Sequence, residues 1–194
     1  MTPVLAKIVF VVMAVAWYAI RLPHARRAGR TPVTRSARGT RERVLLAISL
    51  TGLGIVPFLY VATGLPRMAE RSFEPWLAGL GVALALAALV VFRLTHKALG
   101  RNWSVSLDVR EGHKLIESGI YGRVRHPMYT AFWLWALAQA LLLPNWVAGL
   151  SGLVGFGTLY GFRIEQEERL MVETFGDEYR DYSRRTARLI PWIY

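Results

Sequence analysis

Residues 113–129, His-Lys-Leu-Ile-Glu-Ser-Gly-Ile-Tyr-Gly-Arg-Val-Arg-His-Pro-Met-Tyr, form a polar, cationic loop dotted with aromatics that runs straight into an apolar helix. Polar groups beside a hydrocarbon span are costly, so this much hydrogen-bonding capacity points to something bound there. The stretch ends in Arg125-His126-Pro127-Met128-Tyr129. Proline is favoured at the first position of a helix, so Pro127 is expected to open one with His126 at its cap. A helix start presents free N–H groups and the positive end of the dipole, and Arg123 and Arg125 add charge. Two readings stand side by side: an anion site at the membrane boundary, or a capped helix whose arginines meet lipid phosphate.

Outward from this loop the chain is apolar. Hydrophobic residues make up 54% and charged residues 19% of the sequence, and mean hydropathy is +0.31. That balance fits a polytopic membrane protein better than a soluble domain. Apolar stretches occupy Val4–Ile20, Val44–Ala62, Trp76–Phe92, Tyr129–Leu143 and Trp146–Phe162, with Pro144-Asn145 turning the last two into a close hairpin. A span needs ~20 residues, so these last two are expected to be tilted or incompletely spanning. There is no cysteine, which excludes disulfides, thiolate nucleophiles and cysteine-based zinc sites.

The net charge of +11 is distributed as topology, not as a nucleic-acid footprint. Arg21, Arg26, Arg27, Arg30, Arg35, Arg38, Arg41 and Arg43 crowd segment 21–43 with Glu42 the lone acid, whereas 63–75 balances Arg67 and Arg71 against Glu70 and Glu74. This asymmetry places 21–43, 93–128 and the tail 163–194 in the cytoplasm and the N-terminus outside, with the arginines near anionic headgroups. The arginines follow the first apolar run, the reverse of a secretion signal. In the fifth stretch, Gly157-x-x-x-Gly161 reads as a close-packing face. Arg163–Thr174 continues that helix as a charged segment, Gly176 reads as its C-cap, and Asp177–Thr186 as a further short helix.

Arg163 sits where an apolar helix emerges, with Glu167 on the same face four residues on. On an exposed helix this would be an ordinary ion pair, but at a membrane boundary such a pair marks a site. Glu165 and Glu168 read as solvated. The four histidines lack metal-ligand spacing, no glycine fingerprint of a dinucleotide fold is present, and no Ser-His-Asp arrangement suggests itself.

Together these residues resemble the isoprenylcysteine carboxyl methyltransferase family, within a wider set of small membrane methyltransferases that includes phospholipid N-methyltransferases. The family's pattern falls on His113–Tyr121, on Arg125–Tyr129, on Arg163 with Glu167-Glu168, and on Phe175-Gly176-Asp177-Glu178-Tyr179-Arg180-Asp181-Tyr182. The match covers about residues 99–182. A compact prokaryotic homologue of the cell membrane is the expected kind of member.

The five apolar stretches are read as an all-α polytopic fold of five transmembrane helices, one integral membrane domain, 1–194, with three N-terminal helices in 1–94 that match nothing diagnostic of the family, and with a cytoplasmic cofactor-binding catalytic loop, helical hairpin and C-terminal helical tail in 95–194. The resemblance implies S-adenosyl-L-methionine as methyl donor and S-adenosyl-L-homocysteine as product. Cofactor contacts would fall on His113, Lys114, Leu115, Ile116, Tyr121, His126, Pro127, Met128, Tyr129 and Glu167. Arg163 would meet the acceptor and, with Glu167, form the catalytic pair. Met128 departs from the small residue often found there, so its contact would come from the backbone, and the match near Ser106 is too poor to carry anything across.

The expected acceptor is a lipophilic, prenylcysteine-like carboxylate. The rival is an amine headgroup, which must lose a proton and which an arginine would repel. An NADPH-dependent membrane reductase and a non-enzymatic scaffold are the remaining alternatives. Lipid entry is expected through a gap between the fourth and fifth helices. Neither a metal nor a nucleic acid is called for, and oligomeric state is not legible.

Overall fold

The structure, a computed structural model, describes residues 1–28, 33–36, 39–100, 108–110 and 115–193, with side chains for 1–26, 39–100 and 115–193. His113 and Lys114 lie outside the described residues.

Among the described residues, seven α-helices run in chain order: α1 Pro3–Ala28, α2 Thr40–Leu50, α3 Val56–Thr63, α4 Pro75–Leu99, α5 Pro127–Leu142, α6 Trp146–Phe175 and α7 Asp177–Arg185. A π-helical turn, Thr51–Ile55, joins α2 to α3 as one rod. A short antiparallel ribbon, β1 Val33–Ser36 with β2 Asp108–Arg110, ties two polar connections together. It departs from an all-helical expectation because strands this short, inside charged loops, leave no apolar alternation to read.

Among the described residues, four stretches are long and apolar enough to cross a membrane: Pro3–Arg26, Thr40–Thr63, Pro75–Leu99 and Trp146–Phe175. This modifies the expectation of five spans. At 16 residues, α5 is only about 24 Å long at ~1.5 Å per residue, short of a ~30 Å hydrocarbon core. Its partner α6, with 30 residues, runs well past it.

The two ends of the bundle differ. At one end the loop 64–74 grips the α5–α6 turn. The Arg71 backbone N–H donates to the Pro144 carbonyl at 3.1 Å, its guanidinium bonds the Ala140 carbonyl and lies 5.4 Å over the Trp146 ring. Asn145, fully buried, caps α6 by accepting from the Ala148 N–H at 3.0 Å while donating to the Pro66 carbonyl at 2.8 Å. The other end collects the start of α2, the loop 115–126, the end of α6 and the C-terminal segment.

Small residues decide the packing. Ala78, Gly81, Ala85 and Ala88 recur at helical spacing on the buried face of α4, letting it lie close against α5; a Cβ on Gly81 would come 2.9 Å from Leu142. The tightest crossing joins α2 to α6. A Cβ on Gly52 would lie 2.1 Å from the Ser151 carbonyl oxygen, and one on Gly155 2.8 Å from the Ile48 carbonyl. The π turn presents the Gly52 carbonyl, which accepts from Gln139 Nε2 at 3.0 Å and Ser151 Oγ at 2.8 Å. These bonds satisfy a polar group that hydrocarbon could not. The expected Gly157–Gly161 face is not the close contact: a Cβ on Gly157 would meet only the edge of Trp133 at 3.3 Å, and one on Gly161 nothing within 4 Å. Which glycines are buried depends on the azimuth of α6, which the motif does not specify.

Candidate active site

A cavity of about 890 Å³ opens between the loop, α1, the α2–α3 rod and the lower part of α6. One end is polar, with Tyr121, Arg125, His126, Tyr129, Arg163 and Glu167 in its wall. The other is an apolar arm between α1 and the rod, bounded by Trp17, Leu50, Leu53 and Phe58. Val15, Tyr18 and Leu50 at its rim are exposed, so the arm opens sideways toward lipid. α5 and α6 pack against each other, and both contribute to the wall, through Met128, Tyr129 and Phe132 on α5 and Phe156, Leu159 and Arg163 on α6.

Most of the residues singled out in the sequence converge here. Leu115, Ile116, Tyr121, His126, Met128, Tyr129, Arg163 and Glu167 all line the cavity. Pro127 is buried at the first position of α5 and shapes the helix start instead. Glu167 is the junction of the polar end. The Tyr129 hydroxyl donates to it, and His126 Nδ1 and Arg163 Nε each lie 3.9 Å from its oxygens. The Tyr121 hydroxyl is held well above the ordinary tyrosine pKa, first by burial and then by the Glu167 charge. It therefore stays protonated, a neutral aromatic wall.

The start of α5 is a weaker anion site than its sequence suggests. Pro127 has no N–H, and the N–H groups of Tyr129 and Thr130 both donate to the His126 carbonyl, at 3.0 and 3.2 Å. Arg125 is turned to the tail, donating to the Ser183 carbonyl at 2.9 Å, to the Thr186 carbonyl, and to Glu168 at 3.1 Å.

Glu168 is not the solvated residue its sequence position suggests. It receives Arg125 Nε and His126 Nε2, each at 3.1 Å, and Arg188 Nη2 at 2.9 Å. The C-terminal segment is pinned alongside: Arg125 and His126 donate their backbone N–H groups to Ala187 and Arg188 at 2.8 and 3.1 Å, and the Tyr182 hydroxyl donates to the Tyr121 carbonyl at 2.7 Å. Burial pushes the Tyr182 hydroxyl up to about 12, so it remains a donor. The tail thus fixes the loop from behind, and its exposed Trp192 and Ile193 suit the membrane interface.

Sequence reasoning also missed Glu42. Its carboxylate lies 3.1 Å from Arg163 Nη1, with side chains only 6% and 9% exposed. Arg163 is therefore paired across helices more closely than with Glu167 on its own helix. The one available signal was that Glu42 is the lone acid in the arginine-rich segment.

The family model of isoprenylcysteine carboxyl methyltransferases matches residues 80–173, which take in most of α4, the loop and nearly all of the α5–α6 hairpin. The chain is 26% identical to protein-S-isoprenylcysteine O-methyltransferase B of Arabidopsis thaliana over 66% of this chain and 70% of that protein. It is 40% identical to the Schizosaccharomyces pombe protein-S-isoprenylcysteine O-methyltransferase over 42% of this chain and 34% of that one. The solved structure of a eukaryotic intramembrane Ras methyltransferase superposes with a TM-score of 0.53 at 21% identity, covering 80% of this chain and 54% of that chain. Membrane helices, the cavity and these likenesses together define an integral-membrane methyltransferase. Over residues 80–173, just under half of its length, the chain is similar to the isoprenylcysteine carboxyl methyltransferase family.

Proposed function

We propose that this protein methylates the carboxylate of a lipophilic, prenylcysteine-like acceptor, with S-adenosylmethionine as donor. The observation that carries the proposal is one cavity with a polar chamber at Arg163 and Glu167 and an apolar arm open to lipid between α1 and α2–α3. At about 890 Å³ it lies at the upper end of small-molecule sites, which run ~300–1,000 Å³.

The residues at the polar end fit the donor. Glu167 suits its ammonium or ribose hydroxyls, Tyr121 and Tyr129 offer ring faces to a sulfonium, and Leu115 and Ile116 offer apolar walls to adenine. By the resemblance, His113, Lys114, His126, Pro127 and Met128 complete that contact set. Bound there, S-adenosylmethionine supplies a methyl group on a positively charged sulfur. Arg163 would hold one acceptor oxygen and leave the other free to face the donor, so that methyl transfer would give a neutral ester and S-adenosylhomocysteine. A carboxylate is already ionised near neutrality, so no base is required. The protein contributes alignment and exclusion of water.

In this reading the chain is one membrane domain. Residues 1–94 supply most of the acceptor groove, and 95–194 the donor chamber. The short α5 completes a fifth crossing, the N-terminus lies outside, and the chamber faces the cytoplasm, a reading that the arginine distribution supports. Calorimetry with S-adenosylmethionine on detergent-purified protein tests the donor. Base-labile methyl incorporation into a prenylcysteine tests the acceptor, and Arg163→Ala should abolish that incorporation while keeping donor affinity. An amine headgroup is the second reading, favoured by the two carboxylates beside Arg163; a base-stable product on an amine lipid would establish it instead.

A further inference from the structure

Arg163 reaches the cavity wall, whereas Glu42 does not. The Glu42 carboxylate meets the guanidinium from the α2 side, 3.1 Å from Nη1. Its placement is rigid. Arg41, the preceding residue, lies with its guanidinium 5.5 Å from the Phe162 ring centre, so adjacent residues of α2 grip adjacent residues of α6. Further along, the Gly52–Gly155 crossing leaves the rod no room to approach and holds it with the bonds to the Gly52 carbonyl.

This arrangement bears on the chemistry in a way that simple anchoring of an arginine does not. A guanidinium in a water-poor chamber attracts a carboxylate strongly. Undivided, that attraction would hold the acceptor tightly and withdraw electron density from the oxygen that must attack. Binding the ground state more strongly than the transition state does not accelerate the chemical step. In methyl esterification the acceptor's negative charge is lost as the bond forms, so Arg163 favours the reactant over the product.

We propose that Glu42 is a positioning residue that shares the Arg163 charge with the acceptor, so that the arginine orients the carboxylate without trapping it. The proposal rests on the carboxylate-acceptor reading of this site. It assigns to the cytoplasmic start of α2 a role in the balance between acceptor affinity and turnover.

The test is Glu42→Gln in the full chain, assayed with a prenylcysteine carboxylate and, as an inhibitor, with its neutral methyl ester. Without the Glu42 carboxylate, and with Glu167 still 3.9 Å from Arg163 Nε, the acceptor KM should fall about tenfold, a conservative value for a close charge pair, and kcat should fall by a similar factor. The inhibition constant of the ester and the affinity for S-adenosylmethionine should stay unchanged. A structural role predicts the opposite pattern: KM rises, or all three ligands weaken together with the melting temperature. Either result, or an unchanged KM, overturns the proposal. If Glu42→Gln does not fold, Glu42→Asp keeps the charge but widens the gap; a lowered KM supports the sharing and an unchanged or raised one refutes it. Wild-type protein that makes no base-labile ester refutes the acceptor reading before any variant is compared, and this proposal with it.

Discussion

Gly52→Ala should separate α2 from α6 and disable acceptor turnover from a distance. The added Cβ would lie 2.1 Å from the Ser151 carbonyl oxygen and 2.9 Å from its carbon, where ordinary contact begins at 3.4 Å. Both atoms are backbone, so no side chain can swing aside, and the rods must part by about an ångström or more. Overpacking of this kind costs ~1–3 kcal/mol. The Gly52 carbonyl also loses its bonds from Gln139 and Ser151, at ~1 kcal/mol each. A total loss of about 3–5 kcal/mol follows. Glu42 lies on the same rod, about 15 Å away at the helical rise, so its pairing with Arg163 should loosen as the rod tilts. The assay is thermal unfolding in detergent beside kcat/KM for the acceptor. Gly161→Ala is the control: its Cβ meets nothing within 4 Å, and alanine should add up to about 1 kcal/mol of helix propensity. A Gly52→Ala protein that melts and turns over like Gly161→Ala would refute the crossing and the transmission argued from it.

Glu168→Ala leaves Arg125 and Arg188 without their shared carboxylate. Removing one partner of a buried pair costs ~3–5 kcal/mol; for this partly exposed cluster about 2 kcal/mol is expected, with weaker S-adenosylmethionine binding because His126 loses its Nε2 partner. Melting temperature and calorimetric donor affinity check this, and wild-type donor affinity would show that the tail does not hold the loop. Phe58→Ala removes a ring that lines the far part of the apolar arm, so the ratio of kcat/KM should shift toward acceptors one prenyl unit longer; an unchanged ratio would place the tail elsewhere.

Several parts of this molecule were legible residue by residue. Pro127 at the first position of α5, Asn145 at the hairpin turn and Gly176 between α6 and α7, at a φ of 59°, obey local rules of backbone geometry. The Arg125–Tyr129 motif and the Arg163–Glu167 spacing named the cavity's polar wall, since a four-residue separation puts two side chains on one helix face wherever the helix lies. The same spacing could not say which face of α6 packs inward. The exposed Gly161 and the jammed Gly155 look alike in a glycine-rich run.

Glu42 and Glu168 mark the boundary between what sequence and tertiary structure decide. By sequence alone, the apolar spans and uneven arginines determine a membrane protein, and the ordered loop motifs carry its resemblance to the isoprenylcysteine carboxyl methyltransferases, because hydropathy, charge placement and motif spacing are properties of the chain itself. That Glu42 meets Arg163 across more than a hundred positions, that Glu168 gathers Arg125, His126 and Arg188, and that the lipid arm opens between α1 and α2, only the tertiary structure decides. Ion pairs and cavities depend on how helices rotate and cross. Here backbone contacts at Gly52, Gly81 and Gly155 determine that geometry, and no charge pattern in the sequence encodes it.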